Sequence, residues 1–221
     1  MPRPQAFLVD AYGTLVYTDF APYRNELPAM AGVPAAELYA EFSRLGPALS
    51  TGQISMTDAI AQILRACAVQ PRPDLVRNIV DKIRELLLIT GRLFDDALPF
   101  LQDLRARGIK TAIISNCDEN TRDLLVKLGI AALVDTMVLS CEVGVDKPAA
   151  RIYTDALGAL GVTADTAMFV DDNAAYCAGA VALGIRTVQI VRRAGGEDAG
   201  PGRTVVRSLA DIGAMLSERA T

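Results

Sequence analysis

Residues 7–15 of the chain read FLVDAYGTL, and this stretch decides the fold. The apolar run Ala6–Val9 has the length of a strand that is buried on both faces, as the strands of parallel sheets are. The run ends at Asp10, and Gly13 permits a tight turn directly after it. The sequence therefore predicts a short buried strand that places a carboxylate at the edge of a sheet.

Short apolar runs of the same kind recur along the chain. They read TAIIS, TMVLS, AMFV and RTVQIV, at Thr111–Ser115, Thr136–Ser140, Ala167–Val170 and Arg186–Val191. Helical patterns lie between them, each followed by a glycine, at Asp96–Arg107, Asn120–Leu128, Ala149–Leu160 and Ala174–Leu183. This alternation predicts βαβ units and an α/β fold with a doubly wound, Rossmann-like parallel sheet.

A long helical segment interrupts the alternation after the first strand. From about Asp19 to about Gly91 no run is convincingly strand-like, and amphipathic helices are predicted at Pro34–Leu45, Thr57–Ala68 and Asp74–Ile89. Thr57 and Asp74 are the expected N-caps. We therefore predict a core of residues 1–15 and 93–221, and a helical cap of residues 16–92 inserted above the strand ends, where such sheets bind ligands.

Two other segments carry structural expectations. Arg193–Arg203 (RAGGEDAGPGR) is polar and rich in glycine, so a surface loop is predicted there. In the cap, four large apolar side chains either line a substrate pocket or fill the cap's own small core, and the second interpretation is favoured: Phe20, Tyr23, Phe42 and Leu49.

The composition excludes several kinds of site. The chain has no histidine, which excludes Ser-His-Asp and Cys-His catalysis and histidine-ligated metals. Its four cysteines are widely spaced without a CxxC pair, so reduced thiols are expected rather than a zinc or redox motif. The net charge is −4 with no basic stripe, which gives nucleic-acid binding little support.

The sequence also indicates where the protein is expected to act and with which partners. No apolar run approaches the ~20 residues of a membrane helix, and the N-terminal residues lack a secretory pattern. We expect a cytoplasmic protein that acts on a small-molecule substrate, without a nucleic-acid or membrane partner, as a monomer or a homodimer.

Chemically active side chains follow four of the predicted strands. They are Asp10 with Thr14, Ser115 with Asn116, Lys147, and Asp171 with Asp172 and Asn173. Each group alone is commonly a turn or a helix cap, but parallel strands bring all four to one edge of the sheet. There a carboxylate could attack phosphorus, or a carbon that bears a leaving group. Lys147 and a Mg²⁺ ion would balance the charge that develops.

The strings FLVDAYGTL, ISN, KPAARIY and FVDDNAAYCAGAVALGI resemble the four motifs of the haloacid dehalogenase superfamily. The resemblance spans about residues 7–191, and the helical segment is similar to the cap of one large branch. The residues themselves predict Thr14 beside the nucleophile, after the turn at Gly13, and phosphate binding by Ser115, Asn116 and Lys147. The resemblance implies Asp10 as the nucleophile, with Ser115 and Lys147 as further catalytic residues. It also implies Mg²⁺ ligands at Asp10, Asp172 and the Tyr12 backbone carbonyl, with Asp171 as a carboxylate behind them.

The first and fourth motifs resemble different branches of that superfamily. Its phosphatases carry a general acid two residues after the nucleophile, and this chain has Tyr12 at that position. The string DAYGTL of this chain instead resembles the first motif of the 2-haloacid dehalogenases. The pair Asp171-Asp172, in contrast, resembles the magnesium site of the phosphatases. The dehalogenases also use a cap arginine, for which Arg44 is the candidate here, and an aspartate where this chain has Tyr176.

Three functions are therefore compatible with the sequence. The favoured one is Mg²⁺-dependent hydrolysis of a phosphate ester, with Tyr12 at the position of the usual acid. The second is cleavage of a carbon–halogen bond, as in a 2-haloacid dehalogenase, which needs neither the acid nor the metal. The third is a catalytically impaired protein that retains the fold to bind a ligand.

Overall fold

The computed structural model describes residues 3–192 and 204–217. Its strands are β1 Ala6–Val9, β2 Val16–Thr18, β3 Gly91–Leu93, β4 Lys110–Ser115, β5 Thr136–Leu139, β6 Ala167–Asp171, β7 Arg186–Ile190 and β8 Thr204–Val206. Its helices are α1 Ala21–Ala31, α2 Ala35–Ser50, α3 Met56–Ala66, α4 Pro73–Thr90, α5 Ala97–Ala106, α6 Thr121–Lys127, α7 Ser140–Val143, α8 Ala150–Leu160, α9 Ala174–Ala182 and α10 Leu209–Ser217.

Six of these strands form a parallel sheet in the order β5-β4-β1-β6-β7-β8. Successive side chains of β1 enter two separate apolar cores, because side chains alternate across a strand. Phe7 and Val9 pack on the side of α5 and α10, whereas Ala6 and Leu8 pack on the side of α8 and α9. All four are fully buried. The predicted doubly wound parallel α/β sheet is therefore confirmed.

A helical insertion, α1 to α4 (Ala21–Thr90), separates β1 from the rest of the sheet. The insertion begins and ends at an antiparallel ribbon in which β2 pairs with β3 and Thr18 lies opposite Gly91. The sequence did not predict this ribbon, because strands of three residues carry little periodic signal. The cap proposed for residues 16–92 would contain the four helices and all of the ribbon except Leu93.

The helices of the insertion differ in detail from the prediction. Helix α1 was not predicted, and Pro28 inside it weakens the sequence signal because proline lacks the N–H of a helical residue. The cap of α3 is Ser55, whose Oγ accepts the Asp58 N–H at 3.1 Å, so the assignment to Thr57 was wrong. Asp74 lies in the first turn of α4 and is not its N-cap.

The loop predicted at Arg193–Arg203 lies outside the described residues. Among the helices of residues 3–192 and 204–217, none combines the length and the apolarity that crossing a membrane requires.

Candidate active site

Asp10 and Lys147 form the buried centre of the site. Asp10 directly follows β1 and is 5% exposed. The Lys147 ammonium donates to Asp10 Oδ1 at 2.6 Å, to Asp171 Oδ2 at 2.7 Å and to the Ile114 carbonyl at 2.9 Å. These three acceptors match the three protons of the ammonium, so the lysine is held in one position between two carboxylates.

Asn116 holds the loop that carries this lysine. Its side-chain Nδ2 donates to the Lys147 carbonyl at 2.9 Å, and its Oδ1 accepts the Lys147 N–H at 2.7 Å. The side-chain amide of Asn116 is therefore occupied by the protein. A phosphate-binding role for this residue would fall to its backbone N–H.

Three carboxylates converge beside the lysine. Oxygen atoms of Asp10, Asp171 and Asp172 lie within 4.8 Å of one another, and only Asp172 is exposed. Asp171 is fixed from two sides, because its Oδ1 accepts the Asn173 N–H at 2.7 Å and its Oδ2 accepts from Lys147. The Asp172 backbone carbonyl accepts the Gln189 side-chain amide at 3.1 Å. Asp172 thus brings an exposed carboxylate, on a fixed backbone, next to two buried ones.

The electrostatics of the cluster reflect its burial. Burial raises the pKa of Asp10 to about 7; attraction to Lys147 opposes this shift and repulsion from Asp171 adds to it. Burial also raises the pKa of Asp171 and of Asp172 above their ordinary values. For Lys147, burial alone would lower the pKa, but the two carboxylates outweigh this and raise it. The lysine therefore remains charged at neutral pH.

Gly13 makes room for Asp172. Its φ of +81° lies in the left-handed region, and a Cβ atom built on it would lie 2.1 Å from Asp172 Oδ2. Any side chain here would displace that carboxylate. The glycine that the sequence associated with a tight turn thus also permits the approach of the fourth motif to the first.

Three buried polar atoms of the site make no hydrogen bond of normal geometry within the described residues: Asp10 Oδ2, Thr14 Oγ1 and Ser115 Oγ. Thr14 nevertheless lies close enough to Asp10 to lower the pKa of its carboxyl by a minor amount. Buried polar atoms in proteins usually have partners. The two hydroxyl groups, near a buried ammonium, can donate to an anionic ligand, whereas Asp10 Oδ2 is an acceptor and would need a donor or an electropositive atom.

Tyr12 occupies the position two residues after Asp10. Its hydroxyl lies 3.1 Å from Thr121 Oγ1, at the start of α6. Burial raises the pKa of this phenol above its ordinary value, so Tyr12 is a weaker acid than a free tyrosine.

A cavity of about 680 Å³ lies between the insertion and the loop after β4. Phe20, Tyr23, Phe42 and Leu49 all line it. Tyr23 and Leu49 also belong to the buried apolar core, and Phe42 packs against it, so the favoured expectation that they fill the core holds only in part. Arg44 is not among the lining residues; it forms an ion pair with Glu41 at 2.7 Å.

Two charged residues that the sequence analysis missed do line the cavity. Arg24 belongs to α1, and Asp118 follows the Ser115-Asn116 pair by two residues. Proximity to the second motif could have marked Asp118 as a candidate. No sequence signal separates Arg24 from Arg44, because the rotation of each helix decides which side chain reaches the cavity. Burial raises the pKa of Asp118 above its ordinary value.

Comparison with known proteins places this site in a family. Residues 4–184 match the model of the haloacid dehalogenase-like hydrolases. The chain belongs to this family. The match covers β1, the whole helical insertion, and the residues Asp10, Ser115, Lys147, Asp171 and Asp172.

Relatives among the haloacid dehalogenase-like hydrolases include both phosphatases and dehalogenases. A phosphatase from Mycobacterium tuberculosis is 28% identical over 96% of this chain and 96% of its own length. An (S)-2-haloacid dehalogenase from Burkholderia cepacia is 27% identical over 98% of this chain and 96% of its own length. The structure of a 2-haloacid dehalogenase from Pseudomonas syringae shares the fold, with a TM-score of 0.73, 20% identity, and coverage of 99% of this chain and 100% of that one.

Proposed function

We propose that this haloacid dehalogenase-like hydrolase cleaves a phosphate ester of a small molecule in a Mg²⁺-dependent reaction with Asp10 as nucleophile. One observation carries the proposal: the carboxylates of Asp10, Asp171 and Asp172 lie within 4.8 Å of one another beside a single buried ammonium. Metal-independent cleavage of a carbon–halogen bond gives no reason for such a cluster.

The residues of the cluster fit Mg²⁺. When ionised, three carboxylates and one ammonium leave two negative charges, which a dication neutralises. All the available ligands are oxygens, as Mg²⁺ prefers. Asp10, Asp172 and the Tyr12 carbonyl would hold the ion, with Asp171 behind them bound to Lys147. When bound, Mg²⁺ would offset the charge of the phosphate and of the nucleophile.

The protein's own groups suggest the following steps. Lys147 fixes Asp10 Oδ1, which leaves Oδ2 to form a bond to phosphorus while the bond from phosphorus to the ester oxygen breaks. The electron pair leaves with that oxygen. Ser115 and Thr14, whose hydroxyls make no hydrogen bond of normal geometry within the described residues, would donate to the phosphoryl oxygens. A water oxygen then attacks phosphorus, and the bond from phosphorus to Asp10 breaks with its electron pair returning to the carboxylate. The two protons of the water leave on the departing inorganic phosphate.

The residue at position 12 sets the expected rate. An alkoxide needs a proton as it leaves, and Tyr12 is a poor donor because its pKa is raised and its hydroxyl faces Thr121. Loss of a general acid commonly costs about 10²–10⁴-fold in rate. Phosphates with weakly basic leaving groups, such as aryl and acyl phosphates, would suffer least.

Cleavage of a carbon–halogen bond is the second candidate, and Tyr12 favours it because a halide leaves without a proton. Arg24, in the cavity wall, could then take the role that the sequence analysis gave to Arg44. In that reaction Asp10 would attack carbon, and the three-carboxylate cluster would have no catalytic purpose.

A screen of phosphate esters and 2-haloacids, with Mg²⁺ and with EDTA, separates these functions. We expect hydrolysis of aryl and acyl phosphates that requires Mg²⁺ and is lost in Asp10→Asn. Asp172→Ala should also lose Mg²⁺ binding measured by calorimetry. Haloacid turnover in EDTA would instead establish the second candidate, and the absence of any turnover would favour a binding protein.

A further inference from the structure

The cavity beside the active site is almost entirely apolar and carries four aromatic rings. Phe20 and Tyr23 form one pair, with ring centroids 5.5 Å apart, and Tyr39 and Phe42 form another, with centroids 6.1 Å apart. Aromatic rings pack favourably against one another at centroid distances of about 4.5–7 Å. Since both pairs line one cavity of about 680 Å³, an aromatic ligand could contact rings from α1 and α2 together.

Two polar groups in the same wall have no protein partner of their own kind among the described residues. The Tyr39 hydroxyl is buried and makes no hydrogen bond with any described residue. Arg24, which is exposed, forms no ion pair within residues 3–192 and 204–217. Leaving a buried hydroxyl unpaired is unfavourable, so a ligand with a hydrogen-bond acceptor at this wall would be favoured.

The cavity continues the phosphate site along the chain. Cys117 and Asp118 form its wall on the core side, and they directly follow Ser115 and Asn116. Tyr12 lies near the same wall, because its hydroxyl is 3.1 Å from Thr121 Oγ1 and the Thr121 N–H donates to the Asp118 carbonyl at 3.2 Å. A phosphate held at Asp10 would therefore have its ester group next to the cavity.

We propose that this cavity receives the leaving group of the substrate and that this group is an aromatic alcohol, which makes aryl phosphate monoesters the substrate class. The identity of the reaction rests on the function proposed above, but the aromatic site does not. The site can therefore be tested by the binding of an aromatic alcohol alone.

Gly46 offers a direct way to fill the cavity. It lines the cavity, lies inside α2 with an ordinary helical φ, and a Cβ atom built on it meets nothing within 4 Å. Gly46→Leu would place an apolar side chain in the space proposed for the aromatic ring. Gly158→Leu is the matched control, because Gly158 lies inside α8 with equally open surroundings and away from the cavity.

The first measurement is binding of 2-naphthol, followed by its fluorescence. We expect the wild type and Gly158→Leu to bind 2-naphthol equally. We expect the dissociation constant of Gly46→Leu to be higher by about tenfold or more, because the leucine side chain occupies the space of the aromatic ring. Pro47 follows Gly46 and disfavours a helical side chain before it, so thermal unfolding of each variant is recorded. Phe42→Leu, which keeps an apolar side chain and removes one ring, should weaken binding without this backbone effect.

The second measurement compares hydrolysis of 2-naphthyl phosphate and acetyl phosphate with Mg²⁺. Acetyl phosphate has a small leaving group, so Gly46→Leu should lower kcat/KM for the naphthyl ester and leave that for acetyl phosphate unchanged. If 2-naphthol binds as expected but neither ester is hydrolysed, the phosphatase proposal fails and the aromatic site stands. If acetyl phosphate is hydrolysed but naphthol binding is absent, or is the same in folded Gly46→Leu and Phe42→Leu as in the wild type, the aromatic site fails and the phosphatase proposal stands.

Discussion

The Lys147 ammonium lies 2.6 Å from Asp10 Oδ1, and both side chains are almost completely buried. In the proposed reaction, this contact would give the two oxygens of Asp10 different tasks. Oδ1 is anchored by the lysine, and Oδ2, which has no hydrogen-bond partner among the described residues, would be the oxygen that reacts. The same ammonium also binds Asp171, so one side chain couples the first motif to the fourth.

The two neighbouring aspartates of the fourth motif should respond differently to substitution. Asp171→Asn removes one of the two carboxylates from a buried ammonium, and breaking a buried ion pair costs about 3–5 kcal/mol in the free energy of unfolding. Asp172 is exposed and has no salt bridge among the described residues, so Asp172→Asn should stay within about 0.5 kcal/mol of the wild type. Denaturant unfolding measures both changes. Equal destabilisation by the two variants would show that the roles of these residues are misassigned.

Gly13→Ala should disable the metal site without unfolding the protein. The new methyl group would lie 2.1 Å from Asp172 Oδ2 and would displace it, so Mg²⁺ affinity measured by calorimetry should fall. Gly108→Ala is the control, because Gly108 also has a positive φ but open space around it. Both variants should lose about 1–2 kcal/mol of stability from the left-handed backbone. Intact Mg²⁺ binding in Gly13→Ala would argue against Asp172 as a ligand.

Tyr12→Asp should restore an acid where the wild type lacks one. Turnover of alkyl phosphates should rise by about 10²-fold, near the low end of general-acid effects, whereas aryl phosphates should gain less. The ratio of kcat/KM for the two ester classes measures this. Asp10→Asn serves as the control and should abolish hydrolysis in both the wild type and the Tyr12→Asp variant.

A wild type that hydrolyses alkyl phosphates at about 1–10³ s⁻¹, the ordinary enzymatic range, would contradict the prediction for Tyr12. In that case Asp118 is the residue to test, because it is the one carboxylate among the described residues of the cavity wall and its pKa is raised by burial. Asp118→Asn would then remove alkyl ester turnover and spare acetyl phosphate.

Cys141 should be the first thiol to react with iodoacetamide. Its contact with the Cys117 thiol lowers the pKa of Cys141 and raises that of Cys117. Cys141 is also half-buried, whereas Cys117 and Cys177 are buried, and burial raises the pKa of Cys67. Because the thiolate is the reactive form, mass spectrometry of early time points should find the label on Cys141. Cys141→Ser should abolish this fast phase, and faster labelling of Cys67 would refute the assignment.

The sequence predicted the sheet and the convergence of its strand ends because these depend on local signals. Each strand is a short apolar run bounded by a turn, and parallel strands must bring Asp10, Ser115 and Asp172 to one edge. Features that depend on how helices pack were not predictable in this way. Arg24 rather than Arg44 reaches the cavity because of the orientation of α1 and α2. The hydrogen bonds between the Asn116 side chain and the Lys147 backbone depend on the path of a loop that is distant in sequence.

The ribbon that joins the insertion to the sheet brings the two ends of the insertion together. Thr18 and Gly91 are paired neighbours across an antiparallel pair, so a two-residue Asn-Gly turn could join β2 to β3 as a hairpin. Residues 19–90 would then be replaced, while every ladder of the six-stranded sheet and every residue from Asp10 to Asp172 assigned to the chemistry would remain. In engineering terms, the graft points are already adjacent, so a foreign helical bundle that also covers the apolar face shared with the sheet could be transplanted there to change substrate choice.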